Sequence, residues 1–204
     1  MFSKWIRTWY SALLQPFLDF IARLGVSPNA VTIASLIVVT AAGILIAFER
    51  PAWAAGILLL GGILDGIDGA LAAQTGVKSQ FGAFLDSICD HCGDFVVYMG
   101  LVWLYLQNGT VVEVMLIFVA LFASVFGSHV RSRAGMVGVD VKTIGLFTRA
   151  ERILVIVFGL WTGKTTLALW VLAIFNSFSM LQRVIYMVRA SVKREKSLPA
   201  EETI

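Results

Sequence analysis

Residues 65–90 read DGIDGALAAQTGVKSQFGAFLDSICD, and the fold turns on how four aspartates fit into so apolar a chain. Asp65 and Asp68 end one apolar run, Asp86 and Asp90 open the next, and QTGVKSQ at 74–80 makes the turn between them. At 100° per residue, Asp65 and Asp68 stand about 60° apart on a helix and share a face with Gly69 and Ala72. Asp86 and Asp90 stand about 40° apart, with Gly82 beside them. Two helices joined by that turn would point four carboxylates at one another across a gap kept open by small residues. Carboxylates in a membrane span are costly, and like charges that converge without cations oppose folding. Bound divalent metal resolves the conflict, and an all-oxygen ligand set favours Mg2+ or Mn2+, with Ca2+ admissible. Two other readings stay open at this point: pairing of the aspartates with arginine or lysine, and a proton or ion pathway.

The surrounding chain has 204 residues, 58% of them hydrophobic and 14% charged, with a mean hydropathy of +0.85. An ordinary soluble domain carries roughly 25% charged residues, so that class is excluded. Six apolar runs follow, roughly Ala30–Phe48, Ala52–Ala73, Phe81–Leu106, Val111–Val130, Arg152–Thr162 with its flanks, and Thr165–Val188. Spans of about 20 residues each leave only short loops and no room for a separate soluble domain. The links ERP (49–51), QTGVKSQ (74–80), QNGT (107–110) and TGKT (162–165) are too short for anything but antiparallel neighbours. The expected fold is an all-α integral membrane protein of six transmembrane helices.

An interruption at Gly25, Ser27 and Pro28 sets residues 1–24 apart. MFSKWIRTWYSALLQPFLDFIARL mixes Trp5, Trp9, Tyr10, Phe17 and Phe20 with Lys4, Arg7 and Arg23, and it lacks a signal peptide's cleavage site. It reads as an amphipathic interfacial helix on the membrane surface, broken or kinked near Pro16. The expected organisation is thus 1–24 as surface helix, 25–190 as membrane domain and 191–204 as a solvated cytoplasmic tail. Under six spans, 14 of the 16 Lys and Arg residues fall on one side and only Arg50 and Lys164 on the other. That bias places both termini, and the aspartates, on the cytoplasmic side. A basic membrane face accounts for the chain's positive balance by attracting anionic lipid headgroups or substrates, and no nucleic acid is needed to explain it.

The spacing at Asp65, Asp68, Gly69, Ala72, Gly82, Asp86 and Asp90 resembles the D-x2-D-G-x2-A-R-x8-G-x3-D-x3-D motif of the CDP-alcohol phosphotransferase family. Six spans behind a surface helix, and the LGVSPNAVT lead-in at 24–32, also look like this family. The resemblance implies transfer of a phosphatidyl-type group from a CDP-linked lipid to a small alcohol, with release of CMP, by a homodimer embedded in membrane lipid. It implies a two-metal Mg2+ or Mn2+ site in which Asp65 and Asp86 bridge the ions, Asp68 completes one site and Asp90 contributes to the other. Asp90 would also accept the acceptor hydroxyl's proton. For the donor it implies open backbone at Gly69 and Ala72, together with Asp68, and a phosphate hydrogen bond from Ser79; Asn29 and Thr32 are further donor-binding candidates. Where the motif has arginine this sequence has Ala73, which removes a guanidinium expected at the donor's diphosphate. A neighbour such as Lys78 substitutes for it, or the donor is bound differently, or the protein is a weakened or non-catalytic relative.

The acceptor site is expected in the basic stretch SHVRSRAGMVGVDVKTIGLFTRAER at 128–152, through Arg131, Arg133, Arg149 and Arg152, whose planar forks suit phosphate. Its R-x-R-A and R-x-E-R pieces look like the phosphatidylinositol phosphate synthase branch, whose acceptor is inositol phosphate. Glycerol phosphate, inositol or another alcohol is the alternative acceptor. Arg183, about one turn inside the last span, needs an anionic partner or a wet cavity and joins the acceptor set. Asp94 extends the aspartate face by one turn and is expected to pair with a loop arginine. Cys89 and Cys92 form a CxxC without a second ligand pair, so neither redox nor zinc chemistry is expected of them.

Overall fold

The computed structural model describes residues 15–16, 18–77, 79–136, 139, 145 and 147–195. Six helices account for most of them: α1 (Pro28–Ala47), α2 (Pro51–Gln74), α3 (Gln80–Asn108), α4 (Val111–Met136), α5 (Arg149–Thr162) and α6 (Thr165–Glu195). Their ends follow local chemistry. Ser27 caps α1 by accepting from the Ala30 N–H at 3.2 Å, with Pro28 in the first turn. Ser79 caps α3 by accepting from the Gly82 N–H at 2.9 Å. Glu151 accepts from the Thr148 N–H at the start of α5, and Gly163 closes that helix in the left-handed region at φ 69°.

Each helix packs on two others, in the closed order α1, α2, α5, α6, α4, α3 and back to α1. All six send apolar side chains into one core, among them Ala42 and Ile46, Leu58, Leu101, Ile117, Leu160 and Leu172. Residues 15–16 and 18–23 are helical and lie on α2 through a second cluster in which Leu18 meets Val31, Ile67 and Leu71. The remainder of the expected surface helix, residues 1–14 and 17, lies outside the described residues.

Two expectations need correction. The short 75–79 link does not make α2 and α3 packed neighbours. Among the described residues α1 lies against both, while no Cα of α2 comes within 8 Å of one of α3. The basic stretch at 128–152 is less of a loop than its polar composition suggests. α4 continues to Met136 and α5 already begins at Arg149, so Arg131, Arg133, Arg149 and Arg152 are all helical.

Among the described residues four helical segments are long and apolar enough to cross a membrane: Pro28–Ala47, Pro51–Gln74, Val111–Gly135 and Thr165–Val192. Large apolar side chains such as Ile37, Phe118, Phe122, Phe158 and Phe178 face outward along the helices. Such an apolar exterior is what a bilayer solvates and water does not.

Candidate active site

The polar site lies at the end of the ring where α2 finishes and α3 begins. α2 contributes Asp65 and Asp68, and α3 contributes Asp86, Asp90 and Asp94. Asp68 is 5% exposed, and its Oδ2 accepts a 2.5 Å hydrogen bond from Thr32 Oγ1 on α1. That bond aims the carboxylate across the α2–α3 gap. One carboxylate oxygen from each of Asp65, Asp68 and Asp86 lies within 4.8 Å of the other two. Three hard oxygen donors gathered so closely fit a divalent cation such as Mg2+ or Mn2+, which would offset their mutual repulsion.

Beside this cluster opens a cavity of about 240 Å3. Its wall holds every donor candidate of the sequence reading: Asn29 and Thr32 from α1, Asp68, Gly69 and Ala72 from α2, and Ser79 before α3. Asp86 and Gly82 complete the α3 side. A Cβ built on Gly69 would meet nothing within 4 Å, so the α2 backbone there is open to the cavity. At Gly82 the same atom would come within 3.1 Å of Asn29 Oδ1 and of Ser79 Oγ, so glycine lets the α3 cap and Asn29 close together. The described wall contains no lysine or arginine. Ala73 is exposed and outside the cavity lining, and Lys78 lies outside the described residues.

Asp90 stands in a second group, held by Arg149. Arg149 Nη1 pairs with Asp65 Oδ1 and lies 2.5 Å from Asp90 Oδ1, and its Nε is 3.6 Å from Asp94 Oδ1. Arg152 Nη2 lies 2.6 Å from Asp94 Oδ2, the pairing expected for that aspartate with an arginine of this stretch. Ser124 Oγ donates to the same oxygen at 3.3 Å. Aspartate–arginine pairing and the three-carboxylate cluster therefore coexist and share Asp65.

The remaining arginines are spread more widely. Arg183 is 9% exposed, and its Nη1 donates to the Gly127 carbonyl at 3.1 Å. Arg131 and Arg152 are near enough for their charges to repel it. Arg131 and Arg133 are exposed near the end of α4. Cys89 is buried and Cys92 exposed, and both are free thiols.

The sequence pattern of the CDP-alcohol phosphatidyltransferases matches residues 25–188. The chain belongs to that family. Its chemistry is that of a CDP-alcohol phosphotransferase, and relatives with curated names narrow the branch. A phosphatidylinositol phosphate synthase of Streptomyces avermitilis is 31% identical over 98% of this chain and 88% of its own length. An archaetidylinositol phosphate synthase of Pyrococcus horikoshii is 32% identical over 80% of this chain and 85% of its own. Among solved structures, the Mycobacterium tuberculosis phosphatidylinositol phosphate synthase in complex with manganese and citrate superposes with a TM-score of 0.77. It is 25% identical and covers 84% of this chain and 87% of its own.

Two functional contacts were out of reach of sequence reasoning. Thr32 was a donor candidate through its place in the lead-in, yet its partner is Asp68, 36 residues on. Arg149 is an acceptor candidate by its place in the basic stretch, and the contact not foreseen is that its guanidinium bridges Asp65 and Asp90. The signal available for Arg149 was general: several intramembrane carboxylates demand a buried cation, but spacing alone does not say which one.

Proposed function

We propose that this chain moves a phosphatidyl-type group from a CDP-linked lipid such as CDP-diacylglycerol to inositol phosphate, releasing CMP in phospholipid synthesis. The observation that carries the reading is the Asp65–Asp68–Asp86 cluster beside a cavity lined by the motif's glycine and small residues. The names of the relatives favour inositol phosphate over glycerol phosphate or free inositol as acceptor. The manganese in the related solved structure agrees with the hard-oxygen ligand set.

Asp65, Asp68, Asp86 and Asp90 would hold two Mg2+ or Mn2+ ions, whose charge would offset that of the diphosphate and of the leaving CMP. Thr32 keeps Asp68 aimed at the cluster. Gly69 and Ala72 give the nucleotide access to the helix backbone, and Asn29 and Ser79 offer hydrogen bonds to it. Asp90 accepts the proton of the attacking hydroxyl, a role that rests on its position as much as on its basicity. Arg131, Arg133, Arg149, Arg152 and Arg183 hold the acceptor's phosphate. We read α3 and α5 as membrane spans too, which makes six, residues 1–24 as a surface helix, both termini as cytoplasmic and the enzyme as a homodimer. The lipid donor enters sideways from the bilayer.

Ala73 supports a second reading, a relative that binds CDP-lipid and metal without turnover. Labelled inositol phosphate and, separately, labelled glycerol phosphate, each offered with CDP-diacylglycerol and Mn2+, separate the two. Label in the lipid fraction, outcompeted by unlabelled inositol phosphate but not by glycerol phosphate, is the expected result. Label from glycerol phosphate alone would move the enzyme to another branch, and none from either would favour the binding-only relative.

A further inference from the structure

We propose that Arg149 is a positioning residue that aligns Asp65 and Asp90 across the gap between α2 and α3, and that it competes with a divalent cation for Asp65. The inference rests on the proposed phosphotransfer and adds a second role to a residue assigned above to the acceptor.

Among the described residues the two helices that carry the aspartates do not pack on each other; α1 lies against both, and α5, packed on α2, adds a link between the carboxylates themselves. Arg149 stands in the first turn of α5, next to the Thr148–Glu151 cap that fixes where the helix starts. Its side chain is 15% exposed, and one guanidinium reaches Asp65 on α2 and both Asp90 and Asp94 on α3. Gly93 makes room for it, since a Cβ there would come within 3.3 Å of Arg149 Nη2. Arg152 is engaged 2.6 Å from Asp94 and does not duplicate the bridge. Nη1 alone meets both Asp65 and Asp90 while Nε faces Asp94, so the planar guanidinium fixes Nη1 between the two carboxylates, whereas a lysine ammonium on its flexible stem has no such anchor.

Asp65 is the shared member. It belongs to the three-carboxylate cluster and to the arginine bridge. A cation at the cluster and the guanidinium therefore draw on one carboxylate while repelling each other. Removing the positive charge should tighten metal binding and misplace Asp90 at the same time. A residue that only held the fold together would not improve metal affinity, and one that only touched the acceptor would raise the acceptor KM alone.

The test compares purified wild type, Arg149→Gln and Arg149→Lys for Mn2+ binding by electron paramagnetic resonance and for CMP release. Arg149→Gln should bind Mn2+ roughly threefold to thirtyfold more tightly, the range expected for one charge removed at this separation. Arg149→Lys keeps the charge and should stay within about twofold of wild type in Mn2+ affinity. Both should lose more than about tenfold in kcat at saturating acceptor, beyond any rise in the acceptor KM that comes from Arg149's share in holding the phosphate. Unchanged or weaker Mn2+ binding in folded Arg149→Gln, or an effect confined to the acceptor KM, overturns the proposal. If Arg149→Gln fails to fold, Arg149→Lys decides: lost kcat at saturating acceptor supports the alignment, and wild-type kcat refutes it. If the wild type itself releases no CMP, the phosphotransfer reading fails, while Mn2+ affinity still decides the competition for Asp65.

Discussion

Thr32 Oγ1 and Asp68 Oδ2 lie 2.5 Å apart, and this bond joins α1 to the carboxylate cluster of α2 and α3. Both residues are buried, at 4% and 5% exposure. Thr32→Val removes the side-chain donor of a buried carboxylate, a loss of about 1–3 kcal/mol. It should lower the melting temperature in detergent and weaken Mn2+ binding, whereas Thr32→Ser should keep both near wild type. Normal Mn2+ affinity in Thr32→Val would mean that the bond supports the fold and not the cluster.

Gly100 and Gly43 bring α3 and α1 into backbone contact. A Cβ on Gly100 would collide with the Gly43 carbonyl oxygen, and one on Gly43 would meet the Val96 carbonyl oxygen at 2.8 Å. Neither neighbour is a flexible side-chain end, so the helices themselves must separate. Gly100→Ala should therefore destabilise the protein by about 1–3 kcal/mol. Thermal unfolding measures this directly, and the folded fraction should retain wild-type Mn2+ affinity because the contact lies away from the aspartates.

Asp90 lies 2.5 Å from the Arg149 guanidinium and outside the group of three carboxylates. As the proton acceptor it should be needed for turnover more than for assembly. Asp90→Asn should lose roughly a hundredfold to ten-thousandfold in kcat while remaining folded. Undiminished CMP release from this variant would remove Asp90 from the chemistry.

Ala73 occupies the arginine position of the motif, and the described cavity wall carries no basic side chain. A guanidinium restored there would gain charge-assisted hydrogen bonds to a diphosphate, so Ala73→Arg should lower the KM for CDP-diacylglycerol by roughly tenfold. An unchanged donor KM would show that the diphosphate does not reach this turn of α2.

Much of this arrangement was legible in the sequence, for reasons tied to range. The helix start at Pro28 follows from the Ser27–Pro28 boundary, where the cap acts within three residues. The shared cavity wall of Asp68, Gly69 and Ala72 follows from helical periodicity, and Asn29 and Thr32 face it from α1. The α4 end was harder. Arg131, Ser132 and Arg133 break the apolar run and read as loop, yet a helix continues through polar residues once it has left the apolar core. The ring order was not legible, because a short link limits how far apart two helix ends can be without requiring that the helices pack. Nor was the Asp65–Arg149–Asp90 bridge, since no spacing rule connects α5 to residues so distant in the chain.

The central claim is tested most directly by CMP release from purified protein given CDP-diacylglycerol and Mn2+, with and without inositol phosphate. The account predicts CMP release that depends on inositol phosphate, stops on chelation of the metal and is lost in Asp86→Asn. Folded, Mn2+-binding protein that releases no CMP, or that releases it equally without acceptor, would contradict it.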